Sequence, residues 1–506
     1  MINHQTMQLD IAYHLDFIER LQKSGKTQEA ISAAENASQL FPTEYLFQLL
    51  KYLFLPIVYK TPEEISLYRQ QFEQGLQELM QQTCLNTPEE KTKAIEGVTR
   101  VTNFYLAYQN YNDRELQRQY GNLVHQIIAA NYPNWIKPRS MPPLEENQKI
   151  RIGYISRYLH NHSATYWLLG WLCYCDREKF EIYSYYIGDK PDAITQKFQQ
   201  YSNVFHHIPG NIDAVCQQIL NDNLHILVFP ELGIDALTFT ISGLRLAPVQ
   251  CTDWGYTVTS GIPTIDYYIS SELMEPDNGQ EHYTETLIRL PNLGIAYPKI
   301  DVPSLTKTRA DFGLQEDAVV YLCCQAPYKY LPQYDFIFAE IARRVPQAQF
   351  VFVRADALQQ RLQEAFATVG KKSQDYCVFI PFLDHENYLR LNSISDVFLD
   401  TFGFTGGNTT LAALACNLPV VTCPGEFMRG RMSYGMLKML GLSETTAQDE
   451  AEYIEIAVRL GLEDEWRQQI VKHIAKHKNC LFEDKVPVAA LEDFYQRVVR
   501  EHLMQS

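Results

Sequence analysis

Along the first 145 residues, apolar side chains return every three or four positions. "IERLQKSGKTQEAISAAENASQLFPTEYLFQLLKYL", from Ile18 to Leu53, predicts a helix, a short glycine turn, a second helix, a proline stop and a third helix. From Lys149 the period shortens. "KIRIGYIS", "FEIYSYYIG", "NLHILVFPE", "APVQCTDWG" and "IDYYISS" are apolar, β-branched or aromatic runs that predict strands. Helical stretches such as "IDAVCQQILND" stand between several of them. A second alternating set starts near Gln315, with strands at "AVVYLCCQ", "QFVFVRAD", "CVFIPFL", "SDVFLDT" and "LPVVTCP". "YDFIFAEIARRV" and "ALQQRLQEAFATV" are the helices between them, and the tail from Ala447 reads as helical.

Strands that alternate with helices build parallel sheets covered on both faces. The pattern therefore predicts an α/β fold of two Rossmann-like domains facing a cleft, behind an all-helical region. The expected boundaries are 1–145, 146–312 and 313–506. "YPNWIKPRSMPPLEENQ", residues 132–148, carries four prolines and reads as the linker. "GKTQEAISAAENASQLFP" resembles one tetratricopeptide-type helical pair. One pair cannot make a solenoid, so a small helical cap is expected rather than a long peptide groove.

A chain of 506 residues with net charge −16 offers no broad basic face, so nucleic-acid binding is not expected. No run is long and apolar enough to span a bilayer, and the polar opening "MINHQTMQLD" lacks a signal core. Eleven cysteines without a C-x-x-C pair, mostly in apolar company, suggest reduced thiols in a cytoplasmic protein.

The candidate chemistry sits where strands end. In "DTFGFTGGNTTLAALACN", Gly406 and Gly407 separate a strand from an apolar helix that opens with Asn408, Thr409 and Thr410. Glycines let backbone approach a bulky ligand, Asn408 or Thr409 can cap, and free amides at a helix start favour an anion. An ordinary capped turn has the same letters; the strand before and the apolar helix after favour a phosphate. Gln325 and Lys329 follow another strand of the same set, so Lys329 is expected to reach the same cleft. Arg429 and Arg431 follow the next strand and add charge at its rim, where Glu426 is a candidate for ribose hydroxyls. In the first unit "RYLHNHSATYW" replaces a G-x-G-x-x-G fingerprint, which disfavours NAD or FAD. His160 and His162 end the first strand there, and one is a candidate general base or holder of a substrate hydroxyl. Metal ligation would need more clustered ligands than these.

"RIGYISRYLHNHSA", "RLAPVQCTDWGYTVTSGIPTIDYYISS", "YKYLPQYDFIFAEIARRVPQAQFVFVR" and "VFLDTFGFTGGNTTLAALACNLPVVTCPGEFMRGRMSYGML" occur in an order that resembles glycosyltransferase family 41. That family holds O-linked N-acetylglucosamine transferases and cytoplasmic N-glucosyltransferases. The likeness covers roughly 149–500. It implies a GT-B fold, a UDP-sugar donor, inversion at the anomeric carbon, a protein or peptide acceptor, no metal and no other cofactor. By matched motif, Lys329 and the turn Gly406–Thr410 would hold the diphosphate, with Gln325 near it. His162 would face the acceptor or the sugar. The chain departs from the pattern at Ala412 and Ala413, where relatives carry an acidic residue for the ribose, at Tyr256 and Thr257, and at Met432. Two other readings remain: a GT-B binding protein without turnover, and another GT-B sugar-nucleotide enzyme such as an epimerase.

Overall fold

The computed structural model describes residues 4–145 and 147–505. The first three residues of the polar opening therefore lie outside it. His4–Lys23, Thr27–Leu40 and Tyr45–Leu53 form the three expected helices. Ala30, Ala34 and Ala37 are fully buried against Ile18 and Phe47. Their small side chains let neighbouring helices approach closely. Pro62–Gln82 and Pro88–Val98 each begin with a threonine cap and proline at the first position; Thr87 and Glu90 close a reciprocal capping box. A short 3-10 segment, Phe104–Gln109, ends at left-handed Asn110 (φ 61°) and leads into the helix Arg114–Asn131.

The first sheet is β1 (Ile150–Ser156), β2 (Phe180–Tyr186), β3 (Val204–His207), β4 (Ile226–Phe229), β5 (Val249–Asp253), β6 (Tyr267–Ser271) and β7 (Thr286–Leu290). Its order is β3-β2-β1-β4-β5-β6-β7, and every pairing is parallel. The second is β8 (Val319–Cys323), β9 (Ala348–Val353), β10 (Cys377–Ile380), β11 (Val397–Leu399) and β12 (Val420–Val421), in the order β10-β9-β8-β11-β12 and again parallel throughout. β3 and β7 were not expected from the sequence. Both lie at sheet edges and are only partly buried, so they lack the continuous apolar run of a central strand.

The boundary at 313–506 needs one correction. The last helix, Val486–Gln505, returns to the first sheet, where Tyr495 and Tyr154 share a hydroxyl contact of 3.4 Å and Phe494 packs on Tyr267 at 5.1 Å. An apolar helix face must be buried somewhere, and this one completes the first domain.

The helical region braces both sheets. Gly121 and Gly261 meet so closely that a Cβ on Gly121 would stand 2.3 Å from the Gly261 carbonyl oxygen. Gly261 also needs its positive φ of 69°. On the other side, Asp113 accepts from Arg69 (2.8 Å) and from Arg429 (3.1 Å). The Asp113 and Arg429 side chains are only 1% and 4% exposed. Arg361 pairs with buried Asp335 at 2.6 Å and donates to the Tyr59 carbonyl at 2.8 Å. Removing one partner of a buried pair strands the other charge at a cost of about 3–5 kcal/mol. Asp113→Ala is therefore expected to lose roughly that much stability, with a smaller loss in Asp113→Asn, as read by the midpoint of denaturant unfolding.

Candidate functional site

The strand order reverses between β1 and β4 in the first sheet and between β8 and β11 in the second. In open parallel sheets these switch points leave a crevice at the carboxyl ends of the strands. The chain places both crevices against each other. A cavity of about 360 Å³ lies there, lined among others by His162, Trp254, Gln325, Lys329, Gly407 and Thr409. That volume is at the lower end of what a small-molecule site needs, roughly 300–1,000 Å³. A hollow of about 410 Å³ within the helical region has no comparable chemistry: its Lys93 is paired with Glu44 and Glu96, and the helix start beside it is closed by the Thr87 box.

The glycine turn is built from Asp400, at the end of β11. Its Oδ1 accepts from the amides of Gly406 (2.8 Å) and Thr401 (3.0 Å), and its Oδ2 accepts from the Thr422 hydroxyl (2.9 Å). Burial raises this carboxyl above its usual range, while hydrogen bonding by Ser433, Gly406 and Thr422 and the Lys329 charge oppose the rise. Gly406 is required by crowding rather than by conformation. A Cβ there would lie 2.3 Å from Thr410 Oγ1 and 2.6 Å from Gln325 Nε2. At Gly407 a Cβ would meet only Met432 Sδ, at 3.5 Å, so this glycine leaves the cavity wall open. Neither glycine uses positive φ.

The helix Asn408–Ala415 follows, with Gly407 at its N-cap and no side-chain cap. Capping by Asn408 or Thr409 was expected and does not occur, because both side chains are engaged elsewhere. Asn408 Nδ2 donates across the cleft to the Ser163 carbonyl (2.8 Å), and Thr409 Oγ1 accepts from Gln325 Nε2 (2.9 Å). The first bond of the helix runs from the Leu411 amide to the Gly407 carbonyl. The amides of residues 408–410 thus have no acceptor in their own turn, and the positive end of the helix is open beside the cavity.

Lys329 stands opposite this opening. Its Nζ donates to Gln325 Oε1 (3.1 Å) and the Thr405 carbonyl (3.0 Å) and lies 4.5 Å from the centre of the Phe404 ring. Burial pushes its pKa down to about 8, against the pull of Asp400 and Cys324. No carboxylate lies within ion-pair distance of this lysine among the described residues, so its charge remains available. Buried Gln325 also donates weakly to Asp400 (3.3 Å), and thereby ties lysine, threonine and turn together.

His162 faces them from the first domain. Its ring stacks on Tyr158 at 4.1 Å, and burial, helped by His160, lowers its pKa to about 4. The Ala164 amide donates to Nδ1 at 3.3 Å. With Nδ1 accepting, Nε2 carries the proton of the neutral ring and can donate to a ligand. His160 turns away to Tyr186 (3.2 Å).

Other expected site residues lie elsewhere. Thr410 is fully buried and shares a 2.7 Å bond with Ser433, so its hydroxyl anchors the helix rather than serving a ligand. Arg431 holds the Met274 carbonyl (3.1 Å) and the Gly425 carbonyl (3.2 Å), joining the two sheets' loops. Arg429 is consumed by Asp113, and Glu426 is solvent-exposed outside the cavity lining. Ala412 and Ala413 are packed in the interior, 3% and 0% exposed. The sequence reading overlooked Asp400, although an acid closing an apolar strand just before two glycines was a signal. It also overlooked the aromatic lining of Phe104, Tyr108, Tyr328 and Phe404. Among the described residues no group of three or more His, Cys, Asp or Glu could hold a metal, no helix is long and apolar enough to cross a membrane, and all eleven cysteines are free.

Comparisons with known proteins identify the family and the fold. The sequence model described as Glycosyl transferase family 41 matches residues 112–296 and 296–491. A Petunia hybrida protein named probable UDP-N-acetylglucosamine–peptide N-acetylglucosaminyltransferase SPINDLY is 27% identical over 350 residues, covering 66% of this chain and 36% of that protein. The Arabidopsis thaliana protein of the same activity name, SEC, is 26% identical over 404 residues, covering 77% and 41%. The chain thus spans well under half the length of these relatives. A solved structure of a Thermobaculum terrenum O-GlcNAc transferase mutant superposes with a TM-score of 0.69 over 100% of both chains at 22% identity, which shows a shared GT-B fold.

The two glycines should respond differently to the same change. Gly406→Ala is expected to cost about 1–3 kcal/mol, the usual penalty of overpacking. Gly407→Ala should cost clearly less. Denaturant titration of both variants checks this.

Proposed function

The chain belongs to glycosyl transferase family 41, and on that premise we propose that it is an inverting, metal-independent glycosyltransferase. It moves a hexose or N-acetylhexosamine from a UDP-sugar to a protein side chain. One observation carries the reading: Lys329 and the open first turn of the helix Asn408–Ala415 converge on one cavity, with the neutral His162 on the opposite wall. The activity in the names of the Petunia and Arabidopsis relatives supplies the substrate class.

The chemistry follows from charge. As the glycosidic bond breaks, UDP gains negative charge. Preorganised donors in a water-poor site stabilise such charge best, and here they are one ammonium and a helix start. A bound diphosphate would also draw the Lys329 proton on more tightly, because an adjacent anion favours the cationic form. The acceptor would enter from the first domain, on the sugar face opposite the leaving group, where His162 can donate from Nε2 to a substrate oxygen. Holding both partners in one narrow cavity removes much of the entropic barrier. Lysine and helix together supply the positive potential that other enzymes take from a cation, which supports the metal-independent reading. Eleven free cysteines support a cytoplasmic location.

The direct test incubates the protein with a panel of UDP-sugars and a peptide library and follows peptide mass. Hexose or N-acetylhexosamine additions are expected. Donor epimerisation without transfer, or UDP binding without any turnover, would overturn the reading. Lys329→Ala should keep the fold and lower transfer by about a hundredfold, the effect of losing one charged donor to the leaving group.

The lysine also sets a pH dependence. Its pKa in the protein alone is about 8, and a bound diphosphate would raise it. Binding that favours the protonated form is fully developed below the free-protein pKa and is lost as pH rises beyond it. UDP affinity should therefore be level up to about pH 7, be roughly halved at pH 8, and fall by up to about tenfold per unit above that until the pKa of the bound state is passed. Calorimetric titration should show the fall in the native protein and not in Lys329→Met.

A further inference from the structure

Part of one wall of the cavity comes from neither Rossmann domain. Phe104 and Tyr108, both from the 3-10 segment of the helical region, line it together with Tyr328 and Phe404 of the second domain. The rings form a continuous set. Phe104 meets Tyr108 at 5.2 Å and Tyr328 at 5.7 Å, and Tyr108 meets Tyr328 at 4.4 Å. Tyr108 also stacks on Phe404 at 4.5 Å and 20°. Phe404 in turn lies 4.5 Å beneath the Lys329 ammonium. This wall is fixed from behind. Tyr256 stacks on Phe104 at 5.5 Å and donates its hydroxyl to the Phe104 carbonyl at 2.7 Å. Asp113, four residues beyond the segment's end, is locked to Arg429.

We propose that this wall, with Phe104 as the more exposed of its two helical-region rings, is the platform that holds the transferred sugar of the donor. The inference rests on the UDP-sugar reading above and deepens it. A pyranose presents C–H groups on one face and hydroxyls around its edge, so a rigid aromatic surface buries the first while the second keep polar partners. Position selects the donor sugar rather than the acceptor. The sugar is bonded directly to the phosphate that Lys329 would hold, and the wall begins at the ring beneath that lysine. The His162 side of the cavity, across from it, is left for the acceptor. The helical region is thereby part of the donor site, and its removal would open the cavity on that side.

The test compares affinities for UDP, UDP-glucose and UDP-N-acetylglucosamine by calorimetry in the native protein, Phe104→Ala and Phe104→Leu. Phe104→Leu keeps apolar bulk where the alanine variant leaves a gap, so it reports on the ring if the alanine variant folds poorly. UDP affinity should stay within about twofold of native in both variants. Affinity for the preferred UDP-sugar should fall by about tenfold relative to UDP, with the loss of ring contact area. An unchanged ratio of UDP-sugar to UDP affinity in folded Phe104→Leu would overturn the proposal, as would a rise confined to the KM for acceptor peptide. Native protein that fails to bind UDP at all would instead remove the reading on which the proposal rests.

Discussion

The arrangement of the site depends on one buried carboxylate. Asp400 receives the amides of Thr401 and Gly406, the hydroxyl of Thr422 and the amide nitrogen of Gln325, while the Tyr453 hydroxyl bonds its carbonyl. Burying a carboxylate costs several kcal/mol, and each bond to it returns roughly 1.5–3. The carboxylate's contribution is geometric. It fixes the path of the turn, sets where the next helix begins, and holds the glutamine that positions Lys329. Four acceptor directions on two oxygens make this possible for an aspartate at the end of a strand.

The helical region solves a second problem. Two Rossmann domains joined by loops would be free to rock about a hinge, as modest interfaces within one chain ordinarily allow. Here a single buried aspartate takes arginines from the helical region and from the second domain, while glycine-to-glycine contact joins the same region to the first domain. Arginine suits this role because its planar fork keeps several bonds at once and never loses its charge. The cation spent on Asp113 is therefore structural, and the proposed reading assigns the anionic ligand to Lys329. A chain of net charge −16 can still bind an anion, because a desolvated lysine and a helix start act over a few ångströms, whereas the surface charge is screened within about a Debye length of roughly 8 Å.

Much of this protein was determined by sequence alone. Ten of the strands show as apolar runs: the central ones because strands covered on both faces must be apolar, and the short edge strands β10 and β12 because their own residues are apolar. The order of strands and helices then dictates parallel sheets, and the glycines at the end of β11 mark the turn that matters. Lys329 was legible because it follows a strand directly, and position after a strand in such a fold means the cleft.

The tertiary structure decided what each polar residue is spent on. Arg429, Arg431, Thr410 and Asn408 stand in the same motif as the cavity residues, yet their side chains are claimed by Asp113, by two loop carbonyls, by Ser433 and by Ser163. Local sequence cannot reveal that, because each partner except Ser433 and Gly425 lies more than a hundred residues away. The aromatic wall was hidden for the same reason: nothing local marks Phe104 and Tyr108 before the fold brings them to Tyr328 and Phe404. Periodicity records which face of an element is buried. Which distant side chain it is buried against is settled only when three separately encoded units close on one cavity.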